Sequence, residues 1–375
     1  MANTLTNLIP DAYRALDVVS RELVGFIPSV QLDPSSEMIG LNQNIRIPVA
    51  PANSAGKDIT PAMSFPSAAY QTISNKNHTL TKSRAFPFSW TQEEQKSVNT
   101  GPGYLTLNQQ QIAQAIRAAV NEIETDCFSA AYLGASRGYG TAGTTPFASN
   151  LADTAQVKKI LDDNGAPQSD RSVVIGTTTG AALRTLSQLT KANEAADSSL
   201  LRRGVLLDLH GFAVRESAQV TTVTAGTGAS YVLNGALSVG ETTVTVDGGS
   251  GTILAGDLVT IGSHKYVVTT ALSSGVFTIA APGLRAAAAD NAVVTVIATS
   301  TRNVAFSRNA ILLSTRLPAA PMNDMAVDRQ IVTDPVSGIS FELAMYAGYR
   351  MVHYEVGAVW GVTAIKPEHC AVLIG

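Results

Sequence analysis

Apolar residues recur at two different periods along this chain, and the change of period divides it. Ile112, Ile116, Val120, Ile123, Cys127 and Ala131 fall every three or four residues, which is the spacing of one helix face. Gln114, Arg117, Asn121, Glu122 and Asp126 lie off that stripe. Thr106 and Gln109 predict a capping box at its start, and Gly134 a stop. About 26 residues at 1.5 Å each predict a rod on the order of 39 Å. Cys127, on the stripe, reads as a small core residue. A narrower stripe, Ala12, Leu16, Val19 and Leu23, predicts a second helix that opens at Pro10 and Asp11 and ends at Gly25. Arg14, Asp17, Arg21 and Glu22 run beside it. A short amphipathic helix needs a partner for its stripe, either its own core or a neighbour.

Between residues 42 and 102, Pro48, Pro51, Pro61, Pro66 and Pro87 exclude long helices. Ile45, Ile47 and Val49 alternate with other residues, as do Phe86, Phe88 and Trp90. The two runs read as the legs of one long hairpin, with a tip around residues 75–81 and a polar segment between the legs. Such a projection is unusual inside a compact domain. Further on, residues 154–163 and 181–191 read as helices, and residues 171–177 (RSVVIGT) and 211–217 (GFAVRES) as strands.

Short β-branched runs then take over at 242–246, 258–261, 266–270, 276–279 and 293–297. Turn pairs separate them: Asn234 with Gly235, Asp247 with Gly248, Gly256 with Asp257, Ser274 with Gly275, and Pro282 with Gly283. This spacing predicts a small β-barrel or sandwich. Only six charged side chains lie between Ser217 and Ser300, namely Glu241, Asp247, Asp257, Lys265, Arg285 and Asp290. The segment differs from both flanks and reads as an inserted domain. Residues 304–313 resume the earlier style, and strands are expected at 339–346, 349–355, 360–365 and 371–374.

Composition adds a hint of association. The 375 residues leave room for two or three domains. Charged residues make up 15%, against roughly 25% in an ordinary soluble domain. Neighbouring subunits are the simplest cover for a charge-poor surface, because interface centres are depleted in charge. Net charge is −3, with no basic run, so any nucleic acid is enclosed rather than gripped. Cys127 and Cys370 make no disulfide framework or metal spacing. Residues 1–10 lack a signal-peptide pattern, and no run of about 18 apolar residues predicts a membrane helix.

The apparent chemical motifs sit in the wrong context. Gly134, Ser136 and Gly138 match G-x-S-x-G, but a strained strand-to-helix turn is needed, and here a long helix precedes. Gly138, Gly140 and Gly143 match G-x-G-x-x-G without the strand before or the helix after. His78, His210, His264, His353 and His369 are scattered singly, without metal-ligand spacing. Glu93 with Glu94 and Asp162 with Asp163 read as solvated helix faces or ends, and Arg202 with Arg203 as solvent or subunit contacts. No catalytic, cofactor or metal residue is expected. A serine hydrolase using Ser136 stays as a remote alternative, and a secreted adhesin is suggested only by the Thr-rich barrel.

The ordered set of segments resembles the major capsid proteins of tailed double-stranded DNA bacteriophages, with the Hong-Kong-ninety-seven fold. Residues 90–98 (WTQEEQKSV), 139–147 (YGTAGTTPF), 211–217, 303–310 (NVAFSRNA) and 337–343 (SGISFEL) carry the likeness. Residues 254–257 (LAGD), 266–269 and 282–284 resemble the insertion domain of short-tailed-phage coat proteins. The resemblance implies an α+β fold with an N-terminal arm (1–40), an extended loop (41–103), and a peripheral domain with a spine helix (104–150 and 331–360). It further implies an axial domain (151–221, 301–330 and 361–375) and an inserted β-barrel (222–300). It implies self-assembly through pentamers and hexamers into an icosahedral capsid that encloses DNA without sequence-specific binding. Scaffolding and portal proteins would be partners, no membrane would be involved, and assembly would occur in the host cytoplasm. Some relatives crosslink through a loop lysine and an asparagine. Lys76 and Lys82 lie on the implied loop, but no matching asparagine is found, so no crosslink is expected. An encapsulin-type compartment shell is the alternative within the same fold.

Overall fold

The computed structural model describes residues 22–49, 61, 74–98, 103–186, 208–320, 325–334 and 337–375. Strands β1 (Gln31–Ile39), β2 (Asn44–Val49), β3 (Ser74–Thr79) and β4 (Lys82–Thr91) precede helices α1 (Gln92–Val98) and α2 (Gly103–Leu133). An alternating stretch follows: β5 (Arg137–Gly140), α3 (Ala152–Asp163), β6 (Arg171–Gly176), α4 (Thr177–Thr185), β7 (Asp208–Leu209), β8 (Phe212–Ser217) and β9 (Thr222–Val223). Next come β10 (Tyr231–Leu233), β11 (Thr243–Asp247), β12 (Leu258–Ile261), β13 (His264–Ser273), β14 (Val276–Ile279) and β15 (Val293–Val296). The chain finishes with β16 (Ser300–Ser307), β17 (Ile311–Pro318), β18 (Ala326–Thr333), β19 (Ser340–Gly348), β20 (Met351–Ala364) and β21 (Cys370–Ile374).

The apolar stripe of α2 packs against two sheets. The first has the order β1-β17-β20-β19-β18, with β4 also on β20. The second contains β5-β21-β16-β6-β8-β7, with β9 beside β16. Ile116, Val120, Ile123 and Cys127 share one core with Ile311, Leu313, Val356 and Trp360 of the first sheet and Val304, Phe306 and Val372 of the second. Strand alternation sends Ala305 to the opposite face. There it joins Val157 and Leu161 of α3, Leu183 of α4, and Phe212. The chain crosses between the sheets twice through single 3-10 turns, at Arg308–Ala310 and Pro367–His369.

Strands β10 to β15 form a ring of antiparallel pairings, β12-β15-β10-β11-β14-β13, which closes through β12 and β13. A closed ring leaves no free strand edge. Leu233, Val244, Val246, Val259, Ile261, Phe277, Ile279 and Val294 fill its interior. Gly235, Gly248, Gly256, Gly275 and Gly283 all have positive φ, so each turn pair noted in the sequence places its glycine where a side chain is strained. The ring joins the second sheet where Lys265 and Tyr266 pair with Gly138 and Arg137.

Several sequence expectations change. Residues 10–21 of the first expected helix lie outside the described residues, and residues 22–25 are not helical. The expected hairpin legs do not pair with each other. β2 pairs with β3, and β4 pairs with β20 over ten residues. Phe88 stacks on Tyr354 of β20, with centroids 5.2 Å apart, and this aromatic contact draws β4 into the larger sheet. Residues 75–81 are therefore not a hairpin tip; His78 and Leu80 are fully buried. α2 has 31 residues, about 46 Å at 1.5 Å each. It starts at Gly103, so Thr106 and Gln109 lie inside it rather than at its cap. The expected strands at 349–355 and 360–365 are one strand, β20, continuous through Gly357 and Gly361. The 301–330 grouping is divided between sheets, because β16 belongs to the second and β17 and β18 to the first. The helix expected at 181–191 begins earlier, at Thr177, and residues 187–191 lie outside the described set.

Candidate assembly surface

The residues weighed for chemistry are held in structural roles. Ser136 is fully buried and follows a helix rather than a strand. Its hydroxyl donates to the carbonyl of Cys370 at 2.8 Å and accepts from Asn164 Nδ2 at 3.1 Å. Gly138 and Gly140 lie in β5, and Gly143 sits in a turn with φ of 79°. Burial pushes the thiols of Cys127 and Cys370 up, which disfavours the reactive thiolate. Among the described residues no group of three or more His, Cys, Asp or Glu suits a metal ion. Asp162 binds Arg171 at 2.7 Å, and Asp163 faces Arg137 at 3.6 Å and Arg285 at 3.9 Å. Glu94, expected in solvent, is buried: it accepts from the Thr91 amide at 2.8 Å while Thr91 Oγ1 accepts from the Glu94 amide at 3.2 Å. This is a reciprocal capping box for α1, and the T-x-x-E spacing was visible in the sequence. Arg202 and Arg203 lie outside the described residues.

What the fold does build is a set of anchors for projecting segments. Along one stripe of α2, Arg117, Asn121, Glu124 and Phe128 take hold of residues 22–27. Arg117 Nε and Asn121 Nδ2 donate to Glu22 at 2.7 and 2.8 Å, and these two bonds push the Glu22 carboxyl down to about 2. The fully buried carboxylate of Glu124 accepts from the amides of Gly25, Phe26 and Ile27 at 2.6, 2.7 and 2.9 Å, and from Ser217 Oγ at 2.7 Å. Phe26 then lies between Phe128, whose ring is tilted by 54° at 5.8 Å, and Phe306, on which it stacks at 6.1 Å. Sequence reasoning missed Glu124. Its position four after Val120 and three before Cys127 puts a carboxylate beside the apolar stripe, and that was the available signal.

The β2–β3 hairpin is pinned at its base. Leu80 donates its amide to Gln43 O at 3.1 Å, and Asn42 donates to Leu80 O at 3.0 Å. Lys76 Nζ donates to the Ile365 carbonyl. Lys82 Nζ reaches Glu122 at 3.2 Å and Asp126 at 2.8 Å on α2, and Asp126 also accepts from Trp360 Nε1 at 2.7 Å. Both loop lysines thus have partners within their own chain. His78, in β3 itself, turns a buried side chain whose Nδ1 lies 2.8 Å from Thr363 Oγ1 and whose Nε2 has no partner.

Burial holds the imidazoles of His78 and His369 below the ordinary histidine value of 6.5. For His78, Asp33 opposes that shift and Arg316 adds to it. The unfolded chain takes up protons near that value and the folded chain refuses them, so stability is lost as pH falls through 6.5. Urea unfolding should show stability falling between about pH 7.5 and 5.5, and His78→Gln should flatten the slope.

The opposite end of the first sheet is open. Among the described residues β18 pairs only with β19. Val327 and Ile331 on this edge are 61% and 57% exposed, and Tyr349, at the β19–β20 turn, is 90% exposed. An exposed apolar edge strand is a template for further pairing.

No protein-family model and no curated relative matches the sequence. Solved structures do match along almost the whole chain. A chain from Mycobacterium phage Che8 is 14% identical with a TM-score of 0.52, covering 99% of this chain and 98% of that one. A chain of the capsid structure of cyanophage P-SCSP1u is 11% identical with a TM-score of 0.53, covering 98% and 93%. This is a capsid fold. A chain from the capsid of a native GTA particle shares the capsid fold at 10% identity and a TM-score of 0.52, covering 97% and 94%. The identities are low enough that the likeness resides in the arrangement of elements, and α2 between its two sheets is the centre of that arrangement.

Proposed function

We propose that this chain is the major capsid subunit of a tailed bacteriophage, a structural protein that self-assembles into an icosahedral shell around double-stranded DNA. The carrying observation is the capsid fold matched over nearly the full length of both chains. In this reading α2 is the spine helix, and the sheet of β17 to β20 forms the peripheral domain. The sheet of β5, β21, β16, β6 and β8 forms the axial domain, the β2–β3 hairpin is the base of the extended loop, and the closed ring is the inserted domain. Contacts between subunits are heterologous and close by rotation, and many modest contacts act together. DNA is enclosed without sequence-specific contacts, in keeping with a net charge of −3. Scaffolding and portal proteins are partners during assembly in the host cytoplasm.

Electron microscopy of the expressed chain tests the reading. Shells, tubes or capsomers are expected, and a persistent monomer at high concentration would overturn it. The inserted-domain assignment has its own measurement. A fragment of residues 222–300 should give a β-rich circular dichroism spectrum and one cooperative melting transition, because its core is made within itself. A fragment with no transition would sink that assignment.

A further inference from the structure

Alternation along β19 and β20 sends Phe341 and Val356 into the α2 core and turns Glu342 and Glu355 to the opposite face of the sheet. On that face lies a pocket of about 260 Å³, lined by Glu342, Glu355, Arg329, Tyr346, Pro318 and Gly357 among others. Glu342 is only 4% exposed. One of its oxygens, Oε1, accepts from Arg329 Nη1, whereas Oε2 is buried without a partner. Gly357 stands directly opposite Glu342 in the strand register. A Cβ at Gly357 would lie 3.0 Å from Pro318 Cγ and 4.0 Å from Glu355 Oε1. Pro318 therefore packs directly against the bare Gly357 backbone in the pocket wall, with Glu355 Oε1 close by.

A buried carboxylate oxygen without a donor costs about 1–3 kcal/mol or more, and a second carboxylate beside it raises the demand for positive charge. No group of three or more His, Cys, Asp or Glu among the described residues suits a metal ion, which turns the choice toward an organic cation. An ammonium group offers three N–H donors and no acceptor. Once the Glu342 carboxylate turns its buried Oε2 toward the pocket, the ammonium can donate to it, to Glu355 and to the Tyr346 hydroxyl oxygen, which now lies 3.5 Å from Arg329 Nη2; charge-assisted bonds of this kind are the stronger ones. We propose that this pocket binds a primary ammonium group. The ammonium comes from a lysine side chain of a second copy or from a free diamine. The site goes beyond the capsid reading and does not depend on it.

The test is calorimetric titration of the full chain with 1,4-diaminobutane at low ionic strength, with tetramethylammonium as a cation that lacks N–H donors. Saturable binding of the diamine is expected, at least ten-fold weaker in Glu355→Gln, which leaves the Arg329–Glu342 pair in place. Gly357→Ala, whose added carbon would press on Pro318 in the pocket wall, should weaken binding similarly. Circular dichroism melts confirm that each variant is folded. Absence of saturable binding, an equal response to tetramethylammonium, or unchanged binding in Glu355→Gln would overturn the proposal. Sedimentation separates the two sources. If the diamine inhibits assembly, the pocket takes a lysine of the second copy; if binding occurs and assembly is unaffected, it takes the free diamine. A chain that binds the diamine but never assembles contradicts the capsid reading alone.

Discussion

Glu124→Ala should lower the unfolding free energy by about 4 kcal/mol and release residues 22–27 from α2. Four donors converge on this carboxylate, three of them backbone amides. Alanine strands them in a site closed to water, where each unsatisfied donor costs about 1–3 kcal/mol. Part of that is regained if the segment peels away, but Phe26 then leaves its place between Phe128 and Phe306, and exposing a buried phenylalanine costs about 1.5–3 kcal/mol. Glu124→Gln keeps the shape and one acceptor oxygen while turning an amide nitrogen toward the remaining donors, so about half the loss is expected. Equilibrium urea unfolding measures the energies. Hydrogen exchange at the amides of Gly25, Phe26 and Ile27 reports the release. Unchanged protection in Glu124→Ala would show that hydrophobic packing alone holds the segment.

Gly361→Ala should be comparably damaging, and its damage falls on the hairpin. A Cβ at this position would lie 2.2 Å from the Thr79 carbonyl oxygen and 3.0 Å from Leu80 Cα. Those contacts are with backbone and cannot be relieved by turning a side chain. Inserting one carbon into a packed site costs about 1–3 kcal/mol. Displacing the hairpin base also exposes Leu80, which is fully buried, for about 1.5–3 kcal/mol more. A loss of about 3 kcal/mol in urea unfolding is expected, with faster proteolysis at residues 74–82 and failure to form closed shells. Gly40→Ala is the control, because its added carbon would meet only Gln43 Nε2 at 3.9 Å. Equal behaviour of the two variants would mean that the hairpin base is not fixed by this contact.

The sequence made local periods legible and long-range choices much less so. The α2 stripe and the strands at 258–261 and 276–279 follow from spacing alone, since a helix face or a barrel strand repeats its signal every few residues. Strand partners carry no such signal. Phe86, Phe88 and Trp90 announce a strand, yet nothing local says that it pairs with residues 351–360 rather than with residues 44–49. β18 (AVDRQIVT) escaped notice because an exposed edge keeps little alternation: of its three large apolar residues, Val327 and Ile331 face solvent and only Val332 packs on the core. The Glu342 and Glu355 pocket was equally hidden. It depends on the register that places Gly357 opposite Glu342, a distance of fifteen residues along the chain that only strand pairing removes. That Ser136 follows a helix and not a strand was legible, because it needed only the order of elements.

The closed ring leaves and re-enters the chain through neighbouring strands: Val223 pairs with Ser300, and Thr222 with Thr301. Paired Cα atoms in an antiparallel ladder stand about 4.5–5.5 Å apart. The two stems therefore meet as a doorway whose width is set by strand pairing and not by what hangs from it. Longer inserts raise the closure cost only slowly, by about 0.6 kcal/mol for each doubling of length. This position is a socket in which one domain can be exchanged for another whose ends lie side by side, while the helix and sheets beneath keep most of their own core. An exchange would give up the two-residue pairing of β13 with β5, the Arg285–Asp163 contact and the packing of Leu258 and Val267 into the α2 core.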